Sequence, residues 1–448
     1  MELFGTAGIR GPVRTDVTPE RALAVGRAVA ADGAEFVVGR DGRETGTTLV
    51  SALEAGLESG GATVRRVGQV PTPALAYASR GRRGVMVTAS HNPPADNGLK
   101  CFVDGVEYDS DAERRITDRV TEGTDPVAWD GWGTTTTTDV LPAYREAVGD
   151  YAEGFGTGPD HLRVAVDCGN GMASLATPQV LADLGASVVA LNANVDGHFP
   201  GRESKPTPES LRDLRAFVAD GDATFGIGHD GDADRIVIVD GDGEVVHEDT
   251  VVAVLAERFV RATDAADPVV VTTPNASARI DERVDAAGGR VERVRLGALH
   301  EGIARVRAAG DERTRVAFAA EPWKHIHPDL GGWIDGVASA AVLTRVVAAE
   351  GLDSLREPVA ERPYRKESVA CPDDRKDAAM ERLEATLPEA FPEAAVATEY
   401  GVRLTFPDGS WCLVRPSGTE PYLRVYAESE RVEALTDEVR EVVETAIE

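Results

Sequence analysis

In VMVTASHNPPADNGLK, residues 85–100, an apolar run (Val85, Met86, Val87) predicts a buried strand. The strand closes on small polar residues that leave one hydroxyl, Ser90, at its tip. His91, Asn92 and the stiff pair Pro93-Pro94 follow. A lone serine in a rigid turn at a strand end is a way to present a nucleophile, and it is equally an ordinary polar turn. The surrounding chain decides between the two.

Upstream of this stretch, EFVVG (35–39) reads as a strand, 46–60 as a helix, 62–68 as a strand and 73–80 as a short helix. The same order recurs twice. It runs from RVAVDCG (163–169), through helices over 173–184 and 207–219 with a strand at 186–192, to ATFGIGHDGDADR (223–235). It runs again from PVVVTT (268–273), through helices over 276–287 and 299–308 with a strand at 289–297, to RVAFAAEPWKH (315–325). Short apolar strands alternating with helices predict mostly parallel sheets covered on both faces. A period of about a hundred residues is that of a repeated domain.

Each copy ends in its most chemically loaded loop: TASHNP, HDGDADR, EPWKH. Ligands of open α/β sheets bind beyond the carboxyl ends of the strands, so three such ends are expected to meet at one cleft. The last ninety or so residues differ. GVRLTF (401–406), the turn Pro407-Asp408-Gly409, SWCLVRP (410–416) and PYLRVYAES (421–429) are spaced as hairpins between helices near 374–386 and 430–447. The expected fold class is α/β, with three similar mixed α/β domains (1–142, 143–248, 249–362) and a smaller C-terminal α+β domain (363–448). A linker is expected around Pro358 and Pro363.

The chain has 448 residues, 42% of them hydrophobic, with 76 acidic against 47 basic side chains and a net charge of −29. A field of that sign excludes nucleic acid and anionic membranes as partners. The expected partner is a small molecule, and the expected state is a monomer or homodimer. The N-terminus carries neither a basic flank nor an apolar signal segment, and no apolar run reaches the length of a membrane span, so a cytoplasmic protein is expected. Lysine occurs only at 100, 205, 324, 366 and 376. Such an acidic, lysine-poor composition resembles that of proteins from salt-loving organisms, where salt screens the repulsion. Cys101, Cys168, Cys371 and Cys412 show no metal or disulfide spacing and read as buried small hydrophobes.

DGDADR (230–235) carries the strongest chemistry. Asp230, Asp232 and Asp234, at alternate positions past a strand end, make an oxygen-rich site suited to Mg²⁺. An EF-hand is excluded, because Arg235 and Gly241 stand where its glycine and its bidentate glutamate belong. RPSGTEP (415–421) joins an arginine fork, hydroxyls and a glycine loop, as a phosphate monoester requires. GTAGIRG (5–11) has a similar composition around Arg10. No Walker P-loop occurs, and GNGMAS (169–174) ends in Ser174 where a dinucleotide fingerprint needs glycine.

Taken in order and at these separations, GTAGIRG, TASHNP, DGDADR and RPSGTEP resemble the α-D-phosphohexomutase family of phosphoglucomutases, phosphomannomutases and phosphoglucosamine mutases. The resemblance covers essentially the whole chain. It implies three α/β domains and a smaller fourth around a deep cleft, with Ser90 carried as a phosphoserine. Mg²⁺ would be held by Ser90, Asp230, Asp232 and Asp234, and a sugar 1,6-bisphosphate would serve as intermediate and activator.

By the same resemblance Lys100, in the loop after Ser90, is the general acid/base, with His91 and Arg10 close by. Desolvation or Arg10 is expected to lower its pKa. Arg235 contacts the phosphoserine, and Arg415, Ser417, Gly418 and Thr419 grip the phosphate that is not reacting. The implied activity interconverts hexose 1-phosphate and 6-phosphate. A phosphoglucosamine mutase, a phosphopentomutase and, behind these, a phosphosugar phosphatase are the alternatives.

The sugar loop departs from the family's usual Gly-Glu-x-Ser-Gly. Ala320 precedes Glu321, and Trp323, Lys324 and His325 follow Pro322, with Trp323 expected either to stack on a sugar or to be core. In RLGALHEG (295–302), Gly297 is kept and Ala298 stands where many relatives place histidine.

Overall fold

The computed structural model describes residues 3–5, 8–417 and 420–447. The chain forms two compact units, one of Met1–Glu248 with Trp323–Leu355, the other of Asp249–Pro322 with Arg356–Glu448.

The first unit holds two sheets. In one, strands run in the order Ile9–Pro12, Asp96–Val103, Arg83–Val87, Glu35–Arg40, Thr63–Gln69, Thr135–Thr137. Glu35–Arg40 is parallel to both Thr63–Gln69 and Arg83–Val87, as the alternating pattern predicts. Asp96–Val103 is a correction. The expected loop carrying Lys100 is instead a strand that runs antiparallel to Ile9–Pro12 and Arg83–Val87. Gly98 serves close approach: a Cβ there would collide with the carbonyl oxygens of Thr88 and Ile9. Lys100 therefore projects from a strand, not from a loop.

Helices Pro19–Ala30 and Gly46–Ser59 cover this sheet and pack through bare backbone. A Cβ on Gly56 would lie 3.0 Å from the Cα of Gly26. Val25, Val29, Leu53 and Leu57 of these helices join Phe36, Val38, Val85 and Val87 of the sheet in one core.

The second sheet runs Val237–Val239, Phe225–Gly228, Arg163–Asp167, Ser187–Leu191. Its last three strands are parallel, and Val237–Val239 is antiparallel. Its apolar cluster takes in Leu211, Leu214, Val218, Val237 and, from the returning segment, Trp323.

In the second unit Asp267–Thr272 lies parallel between Arg290–Arg293 and Thr314–Glu321. An antiparallel sheet runs Tyr364–Ala370, Tyr422–Glu428, Trp411–Pro416, Val402–Thr405, Ala395–Ala397. The expected Asp-Gly turn closes its hairpin, with Gly409 at φ 81°. Helices Lys376–Ala390 and Val432–Ile447 cover one face through Leu383, Leu387, Val439 and Val443. The sequence reading assigned no element to Tyr364–Ala370, the edge strand, whose charged and exposed positions hide it.

The four cysteines are buried and unpaired. No helix among the described residues is long and apolar enough to cross a membrane.

Candidate active site

Strand Arg83–Val87 delivers Thr88, Ala89 and Ser90 to its carboxyl end, all buried. Ser90 has φ 51°, a left-handed conformation uncommon for a residue with a side chain and characteristic of strained functional turns. Its Oγ donates to Asp230 Oδ2 at 2.6 Å and lies 3.2 Å from His91 Nδ1. Strand Phe225–Gly228 ends in the acidic loop, whose Ala233 is also left-handed at φ 60°. Gly231 brings that loop against the serine, where a Cβ would sit 2.7 Å from the Ser90 carbonyl oxygen.

Asp230, Asp232 and Asp234 are buried and present carboxylate oxygens within 4.8 Å of one another. Asp232 Oδ1 and Asp234 Oδ1 are enclosed without a hydrogen-bond partner. Such orphaned acceptors suit a hard cation, so this donor set fits a divalent metal. Burial, then the neighbouring Asp234 and Asp232, push the Asp230 carboxyl well above the usual carboxylate range. Burial pushes Asp234 the same way, but Lys100, Arg235 and Lys324 outweigh it and hold that group below the usual range.

Lys100 Nζ lies 2.7 Å from Asp234 Oδ2 and 3.4 Å from Asp232 Oδ2. The expected downward shift of this lysine is reversed. Burial does work to lower its pKa, yet Asp232 and Asp234 outweigh both burial and Arg10, and the ammonium is held more tightly protonated than usual. His91 is pushed down to about 3 by burial, then by Arg235 and Arg10, and so is neutral. Arg10, on strand Ile9–Pro12, has a buried Nε without a hydrogen-bond partner. Arg235 Nε lies 3.7 Å from Asp230 Oδ2 and 3.8 Å from Asp234 Oδ1.

The sugar-loop residues divide between the units. In the second, Glu321 Oε1 accepts from the backbone N–H of Gly297 at 2.5 Å, with Gly297 at φ 79°. In the first, partly buried Trp323 has φ 72° and packs against the Leu211–Leu214–Val237 cluster. Lys324 pairs in backbone register with Arg235. His325 is buried, with Nδ1 3.0 Å from Ser339 Oγ, which also lies 2.8 Å from His327 Nε2. Burial pushes His325 down to about 3 and His327 well below its ordinary value.

Gly418 and Thr419 of the phosphate loop lie outside the described residues. Beside them, Arg415 places Nη2 2.9 Å from Tyr426 Oη and keeps a buried Nε without a hydrogen-bond partner. Ser417 is buried.

Several supporting residues escaped the sequence reading. Thr72 Oγ1 donates to Asp232 Oδ2 at 2.6 Å, and Thr72 N–H donates to the Asp232 carbonyl at 3.0 Å. His229 ties the two ends of the acidic loop together, with Nδ1 2.7 Å from the Arg235 carbonyl oxygen and Nε2 3.0 Å from Thr177 Oγ1. Lys376 Nζ donates to the carbonyls of Ser417 and Glu420 at 2.7 and 2.6 Å. Of these, Lys376 carried a signal, as one of five lysines in an arginine-rich chain.

The chain matches known proteins along nearly its whole length. Phosphoglucomutase/phosphomannomutase alpha/beta/alpha domain I matches residues 1–126, domain II of the same family matches 144–243, and its C-terminal domain matches 369–445. A phosphopentomutase of Thermococcus kodakarensis is 42% identical over 441 residues, covering 96% of this chain and 94% of its own. A probable phosphoglucosamine mutase of Methanopyrus kandleri is 39% identical, covering 99% and 98%. Among solved structures, a phosphoglucomutase/phosphomannomutase family protein of Burkholderia thailandensis superposes with a TM-score of 0.87 at 27% identity, covering 99% of this chain and 97% of that one. The chain belongs to the α-D-phosphohexomutase superfamily. It is an enzyme of the phosphosugar mutase type, an intramolecular phosphotransferase of the isomerase class.

Proposed function

We propose that the chain interconverts hexose 1-phosphates and 6-phosphates through a phosphoserine at Ser90 and a sugar 1,6-bisphosphate, with the chain organised as four domains at 1–142, 143–248, 249–362 and 363–448. The observation that carries this reading is Ser90 Oγ set 2.6 Å from a buried carboxylate triad with unsatisfied oxygens.

In the first transfer the Oγ–P bond of phosphoserine breaks as an O–P bond forms to a hydroxyl of the sugar monophosphate. The bisphosphate then turns round, and the second transfer returns its other phosphoryl group to Ser90 Oγ. Asp230, Asp232 and Asp234, with the phosphoserine, would hold Mg²⁺. That ion would offset the phosphoserine's charge of about −1.5 to −2. Lys100 Nζ, kept protonated by Asp232 and Asp234, offers its proton to the reacting oxygens, and the pairing with Asp234 holds it in place. Arg10, with an Nε unclaimed by hydrogen bonds, and Arg235 steady the reacting phosphoryl group, and neutral His91 keeps Nδ1 against the serine. Glu321 and the Gly297 loop, with Lys324 and His325, take the sugar. Arg415, Ser417, Gly418 and Thr419 take the distant phosphate.

A second reading, a pentose 1-/5-phosphate mutase, is favoured by the replacement of the small polar pair in the sugar loop with Trp323 and Lys324, and by the Thermococcus relative. Comparing kcat/KM for glucose, mannose, glucosamine and ribose 1-phosphates separates the readings. A preference for ribose 1-phosphate overturns the hexose assignment. Ser90→Ala is expected to abolish turnover while sugar-phosphate binding persists. Inorganic phosphate released in step with substrate loss would indicate a phosphatase.

A further inference from the structure

The strand Glu35–Arg40 also ends at the phosphoserine loop, and it is followed by Asp41-Gly42-Arg43. Arg43 is fully buried. Its Nε donates to Asp41 Oδ2 at 3.0 Å. Nη1 donates to the carbonyls of Pro93 and Asp96 at 2.5 and 2.9 Å, and Nη2 to those of Ser90 and Asn92 at 2.9 and 2.7 Å. A guanidinium has five N–H donors, and each is spent here. The Phe199 ring lies 5.1 Å from the guanidinium carbon.

Asp41 continues the chain of contacts. Its Oδ2 accepts from Thr88 Oγ1 at 2.7 Å, and Thr88 Oγ1 accepts from the N–H of Ser90 at 2.9 Å. Ser90 is thus gripped at its carbonyl by Arg43 and at its N–H by Thr88, while its Oγ faces Asp230.

We propose that Arg43, buttressed by Asp41 and Thr88, is the positioning residue that holds Ser90 in its left-handed conformation and keeps four loop carbonyls away from the phosphate. A strained backbone persists only where its surroundings over-determine it, and Ser90 at φ 51° is such a case. A carbonyl oxygen facing a phosphate dianion repels it. Gathering the carbonyls of residues 90, 92, 93 and 96 at one cation commits those negative dipole ends elsewhere. Lysine cannot substitute, since its ammonium has three donors and no planar fork.

The inference rests on Ser90 carrying the phosphate, which labelling wild-type enzyme with a sugar bisphosphate tests separately. Unlabelled Ser90 overturns the phosphoserine reading and the clamp with it. With Ser90 labelled, Arg43→Lys is expected to keep a cooperative melt and lose about 100-fold in kcat, with KM within about threefold, as a small misplacement of a reacting group does. A folded Arg43→Lys enzyme with kcat within about threefold of wild type overturns the clamp. Should that variant not fold, Thr88→Val cuts the Ser90 N–H contact with little change in shape. It is expected to lower kcat about tenfold at unchanged KM, and an unchanged kcat overturns the proposal.

Discussion

Lys100 and Asp234 form a buried ion pair, Nζ to Oδ2 at 2.7 Å, inside a cluster of three carboxylates. Removing one member of such a pair leaves its partner uncompensated, at a cost of about 3–5 kcal/mol. Lys100→Met should therefore melt well below wild type and lose about 100-fold or more in kcat. A divalent cation in the triad offsets the same carboxylates, so Mg²⁺ should raise the melting temperature of this variant by more than it raises that of wild type. Equal Mg²⁺ shifts in the two proteins would count against the cluster as a cation site.

Thr72 Oγ1 orients Asp232 through a 2.6 Å hydrogen bond. Partners behind a metal ligand typically contribute about 10–100-fold to affinity. Thr72→Val preserves the shape and deletes the donor, and calorimetric titration with Mn²⁺ should show weaker binding within that range. Unchanged Mn²⁺ affinity would remove Thr72 from the site.

Lys376 Nζ donates to the carbonyls of both Ser417 and Glu420, which flank the segment proposed to take the distal phosphate. Deleting the charged hydrogen-bond partner of one buried and one partly buried carbonyl costs about 1–3 kcal/mol, near a factor of ten in binding. Lys376→Met is expected to raise KM for the sugar phosphate about tenfold and to change kcat far less. A fall in kcat at constant KM would place the loop's contribution in the transition state instead.

Burial keeps several histidines neutral in the fold: His229 is pushed down to about 4 and His325 to about 3, and His327 lies lower than its ordinary value as well. Unfolded histidine takes up a proton near pH 6.5, so between that pH and the folded values the unfolded chain binds more protons. Stability is therefore full above about pH 6.5 and declines as pH falls, by up to about 1.4 kcal/mol per pH unit for each such group. Melting temperatures measured from pH 8 to pH 5 should fall on the acid side. His327→Gln should show a shallower acid-side decline than wild type, and an identical slope would refute this account.

The chemistry was legible where it lay in compact runs. Three aspartates at alternate positions, a serine at a strand tip and the arginine–serine–glycine loop each stand out because one short segment supplies all the donors. Strands and helices with clean apolar periodicity were placed to within a few residues, as Gly46–Ser59 and Trp411–Pro416 illustrate. Asp96–Val103 was not, because Asp96, Asn97, Gly98 and Lys100 interrupt its apolar pattern and only the crossing of neighbouring backbones explains Gly98. The direction of the Lys100 shift was missed because its partners, Asp232 and Asp234, lie more than a hundred residues away in sequence. Arg43 and Thr72 act through backbone carbonyls and a single carboxylate oxygen, which leave no spacing to read.

Lysine has become rare enough in this chain to act as a label. Lys205 and Lys366 are exposed, whereas Lys100, Lys324 and Lys376 are at least partly buried, in or beside loops of the proposed site. An ammonium is a compact point charge with three rotatable donors on a flexible stem, whereas a guanidinium is a rigid planar fork. Amine-directed reagents should accordingly react first at Lys205 and Lys366, giving two exposed side-chain attachment points for dyes or surfaces.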